Sequence, residues 1–193
     1  IPDFLALDEP PISIRPIHGG KPKFVDAKRT ALAEAASPAA NNVGWAPFPG
    51  GQVQYLSCPI REIFVEGNRG GGKTELLLVR YLSEVGKHGD AWRGIIFRRE
   101  LNHLEDLIDK SIRLFRKLGV KARWLSSKGD YKWIFEGGEE LHFRAMKDAE
   151  DYWNYHGHEY PFIAWEELTN YPDDQCYEKM KSCNRCSVAG VPR

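Results

Sequence analysis

The chain is poor in the features that mark specialised protein classes. It has four cysteines in 193 residues, Cys58, Cys176, Cys183 and Cys186. That is too few for a disulfide-built scaffold of this size, so reduced, intracellular thiols are expected. No apolar run approaches the ~20 residues that span a bilayer, and no signal peptide is visible. There is no internal repeat and no low-complexity tract. Formal net charge is zero, so the total does not indicate a general grip on polyanions. The chain opens on Ile1 rather than Met, and is therefore expected to be trimmed.

What is present is ordinary globular composition, 42% hydrophobic and 28% charged, enough for one domain with a sizeable core. Charge is unevenly spread. Arg93 to Lys128 holds ten basic and four acidic residues, whereas Glu136 to Glu178 holds two basic and twelve acidic. Such a split fits either a nucleic-acid face opposite a metal-nucleotide face or simply solvated elements. Proline is uneven too: eight of twelve lie in the first 49 residues. Segments such as Glu9-Pro10-Pro11 and Pro47-Phe48-Pro49-Gly50-Gly51 are excluded from helix interiors and central strands. Residues 1–49 therefore read as an extended proline-rich arm, with one short helix over Asp26–Ala36 ended before Pro38.

From Gln52 onward strands and helices alternate. Ile63–Val65 and Gly94–Phe97 read as apolar strands. Thr74–Val85 and Leu101–Leu118 read as amphipathic helices, the second stopped by Gly119. Tyr131–Phe135 and Leu141–Arg144 flank Glu136-Gly137-Gly138-Glu139 as a hairpin. Phe162–Trp165 reads as a final buried strand. The order predicts an α/β fold with a mostly parallel central sheet flanked by helices.

Gly67-Asn68-Arg69-Gly70-Gly71-Gly72-Lys73-Thr74 fits the phosphate-binding pattern G-x-x-x-x-G-K-[ST]. The glycines allow a tight turn with backbone N–H groups aimed at phosphate oxygens. The following helix points its positive dipole end at the same anion. Lys73 supplies a point charge, and the Thr74 hydroxyl is a ligand for Mg²⁺. The alternative is a glycine-rich turn with a surface lysine. Four apolar residues, Phe162–Trp165, then run into Glu166 and Glu167. In a nucleotide hydrolase the first acid holds Mg²⁺ through water and the second activates the attacking water; the alternative is a strand running into a solvated loop. Cys183-Asn184-Arg185-Cys186 is a C-x-x-C. A zinc site would need Cys176 with His156 or His158, a redox site would need a strand before it, and plain semi-buried thiols need nothing further.

Taken in order, these motifs resemble the large terminase subunit of tailed bacteriophages, the motor ATPase that packs DNA into proheads. Pro49-Gly50-Gly51-Gln52-Val53-Gln54-Tyr55-Leu56 is similar to the family's segment ahead of the loop, whose glutamine reads adenine. Gln52 matches better than Gln54. Arg69 inside the loop is typical of these motors. Ile95-Ile96-Phe97-Arg98-Arg99-Glu100, followed by Leu104-Glu105-Asp106, resembles the family's second strand and helix. His156-Gly157-His158-Glu159-Tyr160 leads into Glu166-Glu167-Leu168-Thr169 as the family's acid pair does, although the family usually has Asp at the position of Glu166.

The resemblance spans about Pro49 to Arg193 and implies a P-loop ATPase domain over residues 50–193, in which MgATP hydrolysis moves double-stranded DNA. It also implies a homo-oligomeric ring on the prohead, portal protein and a small terminase subunit as partners, and the host cytoplasm as location. It assigns the nucleotide to Gln52, Gly67, Asn68, Arg69, Gly70, Gly71, Gly72, Lys73 and Thr74, the metal to Thr74 and Glu166, and catalysis to Glu167, Lys73 and Arg69. Arg98, Arg99 and Arg185 are further candidates for the arginine at the γ-phosphate. The family's Asn-Pro coupling motif and nuclease domain are absent, which implies a C-terminally truncated fragment. Other readings of the residues are a helicase- or recombinase-like ATPase and a nucleotide-binding module without turnover.

Overall fold

The computed structural model describes Ser13–Arg15 and residues 44–193 apart from Arg69 and Lys128. The expected helix over Asp26–Ala36 and most of the expected arm lie outside the described residues. The chain divides into two compact units, Ile1–Leu76 and Leu77–Arg193.

In the first unit, strand β1 (Ser13–Arg15) pairs antiparallel with β2 (Phe64–Glu66), Ile14 opposite Val65. Helix α1 (Gly51–Ser57) starts directly after the Pro49-Gly50 turn. Gly50 adopts φ 90°, a left-handed conformation open to glycine, and its carbonyl accepts from Gln54 N at 3.0 Å. Helix α2 (Lys73–Leu82) begins at the loop lysine in this unit, and its residues from Leu77 onward belong to the second. It stops three residues before the expected Val85. There Glu84 N and Val85 N bond to Tyr81 O and Leu82 O, a tightened i−3 turn that Gly86 closes at φ 82°.

The second unit carries a five-stranded sheet in the order β4-β5-β6-β3-β7. Its strands are β3 (Arg93–Arg98), β4 (Ala122–Leu125), β5 (Lys132–Phe135), β6 (Glu140–Ala145) and β7 (Phe162–Trp165). β6, β3 and β7 are parallel, but β4 and β5 join antiparallel. The sheet is therefore mixed rather than mostly parallel, and β2 is not among its strands. The hairpin that the Gly137-Gly138 turn dictates explains one antiparallel pairing, with Ile134 opposite Glu140. β4 escapes the sequence pattern because Ala122-Arg123-Trp124-Leu125 shows neither clear alternation nor an apolar run.

β3 lies between β6 and β7, and Ile95, Ile96 and Phe97 are fully buried, as expected for a strand flanked on both sides. Its residues alternate between two packed faces. On one face Gly94 admits Tyr81 of α2: a Cβ at Gly94 would meet Tyr81 Cε2 at 2.5 Å. Tyr81 stacks on Trp92 with centroids 5.5 Å apart, and each donates a hydrogen bond to the other's backbone carbonyl. Helix α3 (Leu104–Lys117) covers the same face, burying Leu104, Leu107, Ser111, Leu114 and Phe115. Trp133 Nε1 donates to Ser111 Oγ at 2.9 Å, and Trp133 shares a register row with Leu141 and Gly94. On the other face Ile95 and Phe97 pack with Met146, Tyr155, Tyr160, Tyr171, Cys176, Met180 and Cys183. That layer comes from the segment after β6, including helix α4 (Gln175–Met180). Among the described residues no helix is long and apolar enough to cross a membrane.

Candidate functional site

The phosphate-loop motif lies in the first unit, at the start of α2. Gly70 and Gly72 adopt φ 86° and 68°, where a side chain would cost about 1 kcal/mol or more. At Gly72 space is short as well: a Cβ would lie 2.8 Å from Gln52 Nε2. Lys73 Nζ donates to the carbonyls of Gly67 at 2.8 Å and Asn68 at 2.7 Å. Its ammonium thus sits within the turn that its own loop makes. Leu76 N bonds to Gly72 O at 2.9 Å, so the first helical turn grows directly out of the loop. Arg69 lies outside the described residues.

Gln52 is brought to this loop. It is 2% exposed, its Oε1 accepts from Phe48 N at 2.9 Å, and its Nε2 donates to Gly71 O at 3.0 Å. A buried carboxamide with both ends bonded braces the loop against the chain ahead of α1. Trp45 Nε1 adds a second tie, to Glu75 Oε2 at 3.1 Å.

The acid pair lies in the second unit, at the C-terminal end of β7. Glu166 N bonds to Phe97 O at 2.9 Å, which fixes the residue in register with the end of β3. Trp165 stacks on Phe97 with centroids 4.7 Å apart and meets Tyr171 edge-on at 5.2 Å. The two glutamates have different surroundings. The Glu166 side chain is 7% exposed and accepts from Arg98 Nε at 2.8 Å. Glu167 is half exposed, with Asn170 Nδ2 donating to its Oε2 at 3.1 Å. Glu167 has φ 56°, the one left-handed non-glycine backbone among the described residues. Strain of this kind concentrates at functional sites.

Arg98 joins three acids, two from the end of β7 and one from α3. Besides Glu166, its Nη1 lies 3.8 Å from Glu167 Oε2 and its Nη2 3.6 Å from Asp106 Oδ2 on α3. Burial opposes its charge, but the Glu166 hydrogen bond and the three carboxylates outweigh this and hold its pKa above the ordinary value. Asp106 is held below the usual carboxylate range, chiefly by Lys110, which donates to it at 2.7 Å. In the sequence Arg98 stands out only as one of several arginines available to a phosphate, because its ion pair with Glu166 spans 68 residues. Asn170 was missed altogether, although its place one turn after Glu167 was a usable signal. Of the other arginines, Arg99 Nη1 donates to Asn170 O at 2.9 Å, and Arg185 Nη2 donates to Gly157 O at 3.1 Å.

The cysteines behave as packing groups. Cys183 Sγ donates to Tyr155 O at 3.4 Å and Cys186 Sγ to Ala91 O at 3.8 Å, so the two thiols of the C-x-x-C serve different backbone carbonyls. Among the described residues no group of three or more His, Cys, Asp or Glu is placed to hold a metal ion. The Thr74 hydroxyl in the first unit and, separately, the Glu166 and Glu167 carboxylates in the second are hard oxygen donors, of the kind that suits Mg²⁺.

Residues 64–185 match the family model described as terminase large subunit, T4likevirus-type, N-terminal. No curated protein and no solved structure matches the chain. The match runs from β2 through the loop, the sheet and the acid pair to the C-x-x-C, and on that span the chain belongs to the T4-like-virus type of large terminase subunits, in their N-terminal domain.

Proposed function

We propose that this chain binds MgATP through Gly67–Thr74 and hydrolyses it to drive double-stranded DNA into a prohead, residues 50–193 forming the ATPase domain. The observation that carries the reading is the intact G-x-x-x-x-G-K-[ST] loop at the head of α2, inside the segment that matches the terminase family. Portal protein and small terminase subunit are the partners, and a homo-oligomeric ring in the host cytoplasm is the working form.

The roles follow from chemistry. Backbone N–H groups of the loop and Lys73 meet the phosphates, and the Thr74 hydroxyl offers an oxygen to Mg²⁺. Thr74 and Glu166 are the residues that would hold Mg²⁺, which would supply positive charge to offset that of the phosphates. Glu167 takes a proton from the water that attacks the γ-phosphorus, the bond to the bridging oxygen breaks, and ADP and phosphate leave. The half-exposed position of Glu167 supports a proton-accepting role better than the paired, buried position of Glu166 does. Gln52 is assigned to adenine on the resemblance, and its bond to Gly71 supports a location beside the loop. Arg69 is assigned to the γ-phosphate in the transition state, a role that contributes ~10³-fold or more.

Lys73→Ala is expected to weaken MgATP binding in calorimetry and to stop phosphate release in a turnover assay. Arg69→Ala should instead lower kcat with binding mostly kept, and a loss confined to binding argues against its role. Unchanged MgATP affinity in Lys73→Ala removes the reading. Binding without turnover, even with portal and DNA present, leaves only a nucleotide-binding module, and strand unwinding makes the chain a helicase.

A further inference from the structure

Zero net charge conceals two oppositely charged stretches. From Lys110 to Gly129 there are seven Lys or Arg and no Asp or Glu; from Asp148 to Glu178 there are nine Asp or Glu and no Lys or Arg. The structure packs α3, from the first stretch, and the layer of Tyr155 and α4, from the second, on opposite faces of the five-stranded sheet, to which the stretches also contribute β4 and β7. α3 packs on the face of Gly94 and Trp133, through Ser111. The acidic segment packs on the face of Ile95 and Phe97, through Tyr155, Cys176 and Met180. Strand alternation fixes this separation.

The outer side of α3 exposes Glu105, Asp106 and Asp109 in its first half and is basic in its C-terminal half. Its buried stripe is Leu104, Leu107, Ser111, Leu114 and Phe115, so Arg113, Arg116 and Lys117 project from the opposite side, three and four residues apart. All three are exposed, and Lys121 just beyond the helix is 78% exposed. Lys110 is paired with Asp106, and Lys121 lies 3.4 Å from Glu136. Arg113 adds to the field that lowers the Asp106 pKa. Arg113, Arg116 and Lys117 nevertheless make no ion pair among the described residues. The helix dipole favours Arg116 and Lys117, which lie in the last turn, but not Arg113, which precedes that turn.

We propose that the outer face of α3, through Arg113, Arg116 and Lys117, binds the phosphate backbone of duplex DNA. Unpaired cations on a helix anchored by a hydrophobic core form a fixed positive row, and counterion release from DNA gives such a row its affinity. The acidic layer on the far face of the sheet repels the same polyanion and so sets which side of the domain meets it. The choice of duplex DNA rests on the packaging-motor reading, whereas the measurement needs no nucleotide.

The test is binding of a fluorescein-labelled 30-base-pair duplex of random sequence to the full chain, by anisotropy between 50 and 200 mM salt. Three variants are compared: the parent, R113Q/R116Q/K117Q, and a control, K87Q/K147Q/K181Q, that removes the same charge elsewhere. Melting curves confirm that all three fold. Each phosphate contact contributes about 0.9 to the slope of log affinity against log salt. The helix variant should therefore lose about 2.7 from that slope, so that its affinity falls roughly 40-fold less over this salt range than the parent's. The control should keep the parental slope. Equal slopes in parent and helix variant, an equal drop in the control, or retention on polyglutamate without affinity for duplex would each overturn the proposal. DNA binding by a chain that fails to bind MgATP would support this surface while removing the nucleotide reading.

Discussion

Arg98 and Glu166 form a buried ion pair across the ends of two parallel strands, Nε to Oε2 at 2.8 Å, with side chains only 9% and 7% exposed. Removing one partner of such a pair leaves the other charge desolvated, which costs about 3–5 kcal/mol. Arg98→Ala is expected to lose stability on that scale in urea unfolding. Arg98→Ala combined with Glu166→Gln should recover part of the loss, because the remaining group is neutral. A double variant as unstable as the sum of the two single variants would show that the pair does not interact.

Glu167 carries both chemistry and strain. A glutamate at φ 56° is less favourable there than glycine by about 1–2 kcal/mol, part of which glycine returns through its freer unfolded chain. Glu167→Gly should therefore raise stability by about 0.5–1 kcal/mol, seen as a higher Tm, while ending ATP turnover. Glu167→Gln keeps the backbone strain and should leave Tm near the parental value. It should still bind MgATP and lose hydrolysis by ~10²-fold or more. Near-normal turnover by Glu167→Gln at saturating ATP would move the base elsewhere. Glu166→Gln should raise the Mg²⁺ requirement instead.

Gly72 and Gln52 are expected to act as one unit. Gly72→Ala places a methyl 2.8 Å from Gln52 Nε2 at φ 68°, so both the loop turn and the Gln52–Gly71 hydrogen bond must give. MgATP affinity should fall at least tenfold. Gln52→Ala vacates the contested space and should mitigate the steric part, leaving the backbone strain. Calorimetric titration of the two single variants and the double variant checks this. Strict additivity would count against the coupling.

His142 predicts a pH dependence of stability. It is buried, and burial, followed by the Arg144 charge, pushes its pKa down to about 4. Arg144 Nη2 donates to Nδ1 at 3.2 Å, leaving Nε2 to donate to Glu140 at 2.9 Å. The folded chain therefore binds fewer protons here than the unfolded chain between pH 4 and 6.5. Stability rises with pH through that window and falls as pH drops below 6.5. His142→Gln should flatten this part of the profile in unfolding measured from pH 4 to 7. An unchanged slope would assign the dependence to other groups.

The loop, the hairpin, the central strand β3 and the acid pair were legible in the sequence, because each rests on local chemistry. Glycines at Gly70 and Gly72 permit left-handed turns, Gly137-Gly138 closes a hairpin, and the apolar run Ile95–Phe97 demands burial. The observed boundaries moved by a few residues at most in α2, whose last turn tightens before Gly86. β4 and the short α1 left no clear period to read.

Pairing partners were not legible, for a physical reason. Strand composition says that a segment is buried but not beside which neighbour or in which direction. The chain order thus suggested a mostly parallel sheet, whereas the structure joins β4 and β5 antiparallel and pairs β2 with Ser13–Arg15. By itself the sequence determined the phosphate-loop motif, the presence of two adjacent carboxylates and the split of charge along the chain. Only the tertiary structure decided that Arg98 neutralises Glu166 and that Glu167 is strained and half exposed. It also set α3 and α4 on opposite faces of one sheet. These are contacts between residues distant in sequence, created by register and alternation in a packed sheet, and no local pattern encodes them.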